Sequence, residues 1–479
     1  MVVGEMANQA DLIVIGGGPG GYHAAIRAAQ LGRHVLLIEK ADLGGICLNK
    51  GCIPSKVLTT ASARMEDSKK NAALGIEAES IRLNFEKLRE YQQKTIQGLQ
   101  AGIEALCKAN KVQIAKGTAV FLSENRIGVE DGDHYELYDF NHAIIAAGVR
   151  PAKDSRFRNG KRVVDSWSIS FLDDIPEHLV IYGSDIIQLE MAMAYRGLGS
   201  NVTLLLPEGT EDIPFDSSIA KELFRIFKKE KITVMKNCSI KEVVEQEDGV
   251  SVETSDETVF ASHFFYQEMK QPASDELGLN RIGLRLDNDG FVEVDERCRT
   301  NLGRIYAIGD STGAPFLASK AIKQGKVAAE AACGSSTAIT DFRFLPKVAF
   351  TRPPIAAAGL TEKRAAVEGF SIKVSQFPLS SNGFSGLSGK RDGLVKIITE
   401  QGTDVILGVH IIGEGAHDLL FGGVLGLEMG AREEDFTFPV YPHPGLSEAL
   451  LEATEGIAGK AVHLKPQKRA EREPVTENF

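Results

Sequence analysis

The chain has 479 residues, enough for about three domains at roughly 150 residues each. Its 43% apolar and 25% charged content belongs to a globular protein with large cores, not to a disordered one. The 54 basic and 65 acidic side chains leave a formal net charge of −11, which argues against nucleic acid or an anionic membrane as the main partner.

No run of about 20 apolar residues marks a membrane-spanning helix. Met1 to Asp11 carries two acids and no Lys or Arg, so the basic start and apolar core of a signal peptide are missing and a cytoplasmic location is expected. Six cysteines are too few for a disulfide scaffold. Cys107, Cys238, Cys298 and Cys333 stand alone and read as small buried hydrophobes.

Leu12 to Gly16 is a short apolar run of the kind found in buried parallel strands. A glycine-rich turn, a helical stretch from Tyr22 to Gly32 and a second apolar run from His34 to Ile38 complete a strand–helix–strand unit ending at Glu39. The turn satisfies G-x-G-x-x-G, with an acid 18 residues after its last glycine. In that context Gly16 permits the tight turn, Gly18 admits a pyrophosphate to the backbone, Gly21 lets helix and strand pack closely, and Glu39 accepts from a ribose. The helix N-terminus supplies free N–H groups and a partial positive charge to the phosphates.

Cys47 and Cys52 follow, five residues apart. On an ideal helix that step separates the Cα atoms by about 8.7 Å, whereas a disulfide needs less than about 7 Å. The segment must therefore be distorted if a bridge forms, and Gly51 and Pro54 are residues that permit it. A zinc pair would need further Cys or His ligands, and none is local.

Residues 81–110 have helical periodicity, and 112–149 alternate as strands ending in Ala143–Gly148. A polar stretch with a proline, Arg150 to Asp154, suggests a domain boundary. A second strand–helix–strand unit begins at Leu179, followed by strands such as Asp248–Thr254 and a segment ending in Ile305–Asp310. From Pro346 onward strands such as Val395–Ile398 and Val405–Ile412 mix with helices, and Lys465–Phe479 reads as a loose charged tail.

The run Cys47-Leu-Asn-Lys-Gly-Cys52-Ile-Pro-Ser-Lys56 resembles the flavin-dependent pyridine nucleotide–disulfide oxidoreductases, and within them the dihydrolipoamide dehydrogenase branch. The likeness spans about residues 10 to 464. It implies an α/β fold of two doubly wound, Rossmann-like nucleotide-binding domains plus a C-terminal α+β dimerisation domain. The expected division is an FAD-binding part over 1–149, an NAD-binding-like domain over 150–272, a second FAD or central part over 273–345, an interface domain over 346–464 and a flexible tail over 465–479.

Carried over residue by residue, Cys47 exchanges with a dithiol substrate and Cys52 interacts with the flavin. Lys56 lies near the flavin, paired with Glu190. Asp310 binds the ribityl chain, and Ala146 and Gly148 form another FAD-contacting turn. The stretch Tyr441-Pro-His443-Pro-Gly-Leu-Ser-Glu448 matches the family's His-Pro-x-x-x-Glu motif. There His443 is the general base, which suits an imidazole that titrates near neutrality and a reaction that needs thiolate. Glu448 orients it. The histidine comes from the other subunit, so a homodimer is implied. The family often has His where Tyr441 stands, a change that leaves the proton transfer itself intact.

The second nucleotide unit breaks the pattern. Its loop reads Gly183-Ser-Asp185-Ile-Ile-Gln188, so only Gly183 survives of the three glycines. Asp185 places bulk and negative charge where a pyrophosphate should approach, and Gln188 replaces the close-packing glycine. The ribose-binding acid is replaced by Leu206, with Glu208 a poor substitute two residues on. Where the family shows Gly-Arg-x-Pro, this chain has Met269-Lys-Gln-Pro272.

The expected function is oxidation of a dihydrolipoyl group, free or on a carrier protein, through Cys47–Cys52 and FAD. NAD binding is expected to be impaired or lost, and the final electron acceptor is unknown. The alternatives are an ordinary NAD-dependent dihydrolipoyl dehydrogenase with a divergent loop, and a redox-sensing flavoprotein without steady turnover. Leu48 and Ser55 disfavour a glutathione reductase, and the lack of a C-terminal cysteine pair disfavours a mercuric reductase.

Overall fold

A strand covered on both faces reads as a continuous apolar run. Leu12–Ile15 is such a run, and it forms the centre of the largest sheet. The structure is a computed structural model that describes residues 7–77, 79–152, 157–209, 213–335 and 337–465. Beyond Lys465, the tail lies outside the described residues.

The chain divides into two compact units. The first comprises Met1–Gly183, Ile187–Thr210 and Ile232–Leu345; the second comprises Ser184–Ile186, Glu211–Lys231 and Pro346–Phe479.

In the first unit, β1 (Asn8–Ile15), α1 (Pro19–Gln30) and β2 (Val35–Glu39) form the leading strand–helix–strand motif. A short helix, α2 (Gly45–Asn49), and a longer one, α3 (Cys52–Lys70), carry the cysteines, and α4 (Phe85–Ala109) follows. The strands β3 (Gln113–Lys116), β4 (Thr118–Ser123), β5 (Arg126–Asp131) and β6 (His134–Ile145) complete a sheet of order β3-β2-β1-β6-β5-β4. A seventh strand, Ile305–Ala307, pairs in parallel with β6. The segments immediately after β1, β6 and Ile305–Ala307 therefore emerge at one edge, the carboxyl end where open α/β sheets bind ligands.

Helix α1 presents Ala24, Ala25 and Ala28 to the core, and helix Ala318–Ala332 meets it with Ala328 and Ala329. The two can approach closely because Gly20 and Gly325 face each other. A Cβ built on Gly325 would lie 2.4 Å from the Gly20 carbonyl oxygen.

A second parallel sheet has the order Thr233–Cys238, Asn201–Pro207, His178–Tyr182, His263–Tyr266, Val163–Val164. Helix α5 (Ile186–Leu198) follows its central strand. An antiparallel three-stranded sheet, Ile240–Ala261, adjoins in sequence.

The second unit is built on an antiparallel sheet of order Lys347–Ala349, Ile355–Gly359, Ile406–Ile412, Leu394–Glu400, Ile372–Pro378. Helix Ala416–Met429 packs on its central strands, and helix Glu448–Ile457 packs on Ile372–Pro378 and Leu394–Glu400. Among the described residues no helix is long and apolar enough to cross a membrane.

Candidate active site

The first glycine loop leaves β1 at Gly16 with φ +105°, a value that favours glycine. Helix α1 has Gly18 as its N-cap, with no side chain capping the first turn, so its leading N–H groups are left for a ligand. A Cβ at Gly21 would fall 1.8 Å from the Gly16 carbonyl oxygen, so no larger residue fits this turn. At Gly18 a Cβ would meet only the Gly45 Cα, at 3.8 Å, and the backbone there is open to close approach. Glu39 ends β2 with its carboxylate accepting from the Gly17 N–H at 2.6 Å and the Ala41 N–H at 2.8 Å.

This loop is tied to the cysteine segment. The Gly44 N–H donates to Gly17 O at 2.9 Å, and a Cβ on Gly45 would stand 2.8 Å from Gly18 Cα. Cys47 and Cys52 are disulfide-bonded, with Cα atoms 4.7 Å apart in place of the ideal-helix separation. The distortion is a break between α2 and α3 at Lys50–Gly51, where Gly51 adopts φ −119°, ψ −100°. Pro54 is compatible with the break, because a helix running on from α2 would set its ring against the Lys50 carbonyl. It sits in the first turn of α3, where its missing N–H has no intrahelical partner to lose.

Lys56 lies one turn beyond Cys52 on α3. Its Nζ donates to both Glu190 oxygens, at 2.9 and 2.7 Å, and Glu190 is fully buried on α5.

Ala146 and Gly148 follow β6, the latter at φ +71°. Asp310 follows Ile305–Ala307 in a short 3₁₀ turn, Gly309–Thr312. Burial pushes its carboxyl above the usual range, against the opposing charges of Lys270 and Lys320. Lys320 is only 3% exposed and donates to Gly313 O at 2.5 Å. Sequence reasoning did not select it, although a lysine among Ala321, Gln324 and Ala328 on the buried face of a helix is the signal that could have.

These residues suit a dinucleotide. The loop offers uncapped amides to a pyrophosphate, Glu39 offers acceptors, and Asp310 is a half-buried carboxyl at the same sheet edge. A flavin dinucleotide held there would lie beside the loop that is bonded to the disulfide segment.

Hydrogen bonds fix the register of the second loop against the first. Gly16 N–H donates to Ile38 O, and Gly183 N–H donates to Leu205 O. Gly183 therefore matches Gly16, Leu206 matches Glu39, and α5 starts at Ile186 as α1 starts at Pro19. Asp185 falls at the Gly18 position and Gln188 at the Gly21 position. Gln188 carries the side chain that the first turn cannot accept. That side chain stands over Gly183, whose Cβ would meet its Nε2 at 2.6 Å, and its Oε1 is buried without a partner. Leu206 is 1% exposed.

In the second unit His443 Nδ1 lies 2.8 Å from Glu448 Oε1, and the Gly445 N–H donates to Glu448 Oε2 at 2.9 Å. Asn382 fixes this loop by donating to Gly445 O at 3.0 Å. Partial burial raises the Glu448 carboxyl, but the His443 and Gly445 hydrogen bonds and the nearby His443 and His463 charges outweigh it and hold the group low. The His443 imidazole is 79% exposed within its own chain. Tyr441 anchors the preceding turn by donating to Phe436 O at 2.6 Å. Helix Ala416–Met429 exposes an apolar stripe of Phe421, Leu425 and Met429, and Phe438 and Val440 are also almost bare. Such a surface suits burial by a second copy.

Comparison with known proteins agrees with this arrangement. Residues 10–325 match the pyridine nucleotide-disulphide oxidoreductase family model, and residues 345–454 match that family's dimerisation domain, which supports a homodimer. The chain is 40% identical over 468 residues to a dihydrolipoyl dehydrogenase of Geobacillus stearothermophilus, covering 97% of this chain and 99% of that one. It is 34% identical over 476 residues to dihydrolipoyl dehydrogenase 2 of Haloarcula marismortui, covering 97% and 100%. Among solved structures, LpdA of Mycobacterium tuberculosis superposes with a TM-score of 0.86 at 26% identity, over 93% of this chain and 99% of that one. The HOCl-induced flavoprotein disulfide reductase RclA of Escherichia coli shares the fold, with a TM-score of 0.84 at 22% identity over 93% and 99%. The chain thus belongs to the pyridine nucleotide-disulphide oxidoreductase family and is a dihydrolipoyl dehydrogenase-like, FAD-dependent disulfide oxidoreductase.

Proposed function

We propose that the protein oxidises a dihydrolipoyl dithiol at Cys47–Cys52 and passes the electron pair to FAD, with His443 of the partner subunit as base. The observation that carries this reading is the disulfide itself, bonded to the dinucleotide loop and followed one turn later by Lys56 on Glu190. His443 takes the proton from a substrate S–H, and Glu448 stabilises the imidazolium. The thiolate attacks Cys47 Sγ, the Cys47–Cys52 bond breaks, and the pair of electrons moves to Cys52 sulfur. The second substrate thiol, deprotonated in turn, displaces Cys47 from the mixed disulfide and leaves as the cyclic disulfide. FAD, when bound, accepts the electron pair from the reduced cysteines. Glu39, Gly16, Gly18, Gly21, Ala146, Gly148 and Asp310 would hold it.

A second element of the reading concerns the acceptor. Gln188, Asp185 and Leu206 each oppose the way a nicotinamide dinucleotide uses this loop, and we infer that NAD binds weakly or not at all. The electron pair then leaves to a quinone, a protein or another disulfide. Anaerobic stopped-flow with dihydrolipoamide, NADH and NADPH as separate reductants tests both elements. Dihydrolipoamide is expected to bleach the flavin rapidly, and Cys47→Ser to abolish that while keeping the flavin. Rapid reduction by NADH at micromolar concentration would refute the loss of NAD binding.

A further inference from the structure

Helix Glu448–Ile457 carries a second imidazole–carboxylate pair one turn beyond the first. His463 Nδ1 lies 2.6 Å from Glu452 Oε1, and the His463 N–H donates to Glu452 Oε2 at 3.1 Å. Glu452 is 8% exposed, while the His463 ring is 65% exposed. Glu448 and Glu452 are an i,i+4 pair of like charges, which repel on a helix face unless each is compensated. His443 compensates one and His463 the other.

The surrounding charges leave this pairing intact. Glu455 is coupled to Glu452 and Lys460. On the strands packed against the helix, Lys373 is held by Asp404 and Glu433, and Lys396 by Asp216 and Glu362. On the adjoining helix, the Asp435 carboxylate accepts from the Arg432 N–H. The hydrogen bond and charge of Glu452 raise the His463 imidazole above the ordinary histidine value. His463 therefore holds its proton to higher pH than an ordinary histidine.

We propose that His463 is a positioning residue that cancels the Glu452 charge beside His443–Glu448, and so sets the pH at which His443 accepts the dithiol proton. This rests on the reading of His443 as the base. Without His463 the bare Glu452 carboxylate would favour protonated His443 and hold the base in its inactive form at higher pH.

The test is the pH dependence of anaerobic flavin reduction by dihydrolipoamide, measured on the purified holoenzyme. This readout needs no electron acceptor. A unit charge displaced by roughly one to two turns of helix, at the dielectric of water, moves a titration by roughly 0.3–0.5 unit. The acidic limb of His463→Gln should therefore rise by about that amount at low salt, and the shift should collapse at 1 M salt. His463→Lys restores a cation and should return the limb to its wild-type position. Glu452→Gln should move it in the opposite direction to His463→Gln. An unmoved limb in His463→Gln, or an equal shift in the Gln and Lys variants, overturns the proposal; those two suffice if Glu452→Gln does not fold. An acidic limb that persists in His443→Gln would instead overturn the assignment of the base.

Discussion

If the second loop binds NAD weakly, as proposed, placing glycine at two of its positions should tighten nicotinamide binding, and the size of the gain follows from charge and packing. Asp185 occupies the place that Gly18 holds in the first loop, where a pyrophosphate meets backbone. A carboxylate about 5 Å from a phosphate charge, at an effective dielectric of about 20, costs about 3 kcal/mol, or roughly two orders of magnitude in Kd. Gln188→Gly removes a side chain that stands over Gly183 and a buried carbonyl oxygen that lacks a partner. Losing that orphaned group returns about 1–3 kcal/mol, while a glycine in the first turns of α5 costs about 0.5–1 kcal/mol, so the double variant should be no less stable than the parent. The assay is the NADH concentration dependence of anaerobic flavin reduction, with Tm as the control. Asp185→Gly/Gln188→Gly is expected to tighten NADH by about 30–100-fold. Micromolar NADH affinity in the parent, or an unchanged Kd in a folded double variant, would refute the argument. Leu206 is left in place because a glutamate at a site 1% exposed would be buried without a partner.

Two further outcomes follow from packing near the redox site. Lys56→Met removes the ammonium that donates to both oxygens of the buried Glu190 carboxylate, and thermal unfolding should show a loss of about 3–5 kcal/mol together with a changed flavin spectrum. An unchanged Tm would mean that Glu190 finds another donor. Gly325→Val forces helix Ala318–Ala332 off α1, because its Cβ would sit 2.4 Å from the Gly20 oxygen. At least about 1–3 kcal/mol should be lost, and flavin should co-purify at a lower ratio as the N-terminus of α1 shifts. Full flavin content at wild-type Tm would show that the two helices can separate without cost.

What was legible in the sequence was whatever local spacing dictates. The 23-residue step from Gly16 to Glu39 recurs from Gly183 to Leu206, and the hydrogen bonds of both loops to the neighbouring strand confirm that register. The five-residue cysteine step required a distorted helix, and the break at Lys50–Gly51 supplies it. Pro54 contributes by excluding a helix that runs on through Lys50. Its place in the first turn of α3 makes it compatible with the helix. Lys320 and His463 were invisible for a different reason. Their meaning depends on partners that are distant in sequence or hidden in a helical face: Lys320 on Gly313 O beside Asp310, His463 on Glu452. Neither lies in a motif, and only folding brings each charge to its counterpart.

The two glycine loops therefore differ in how their packing constrains them. In the first loop the constraints are steric and mutual: Gly21 cannot carry a side chain, and Gly45 cannot without striking Gly18. In the second loop the matching positions carry Asp185 and Gln188, and the Gln188 Oε1 is buried without a hydrogen-bond partner. That difference between the two loops is what the proposed weak binding of NAD rests on.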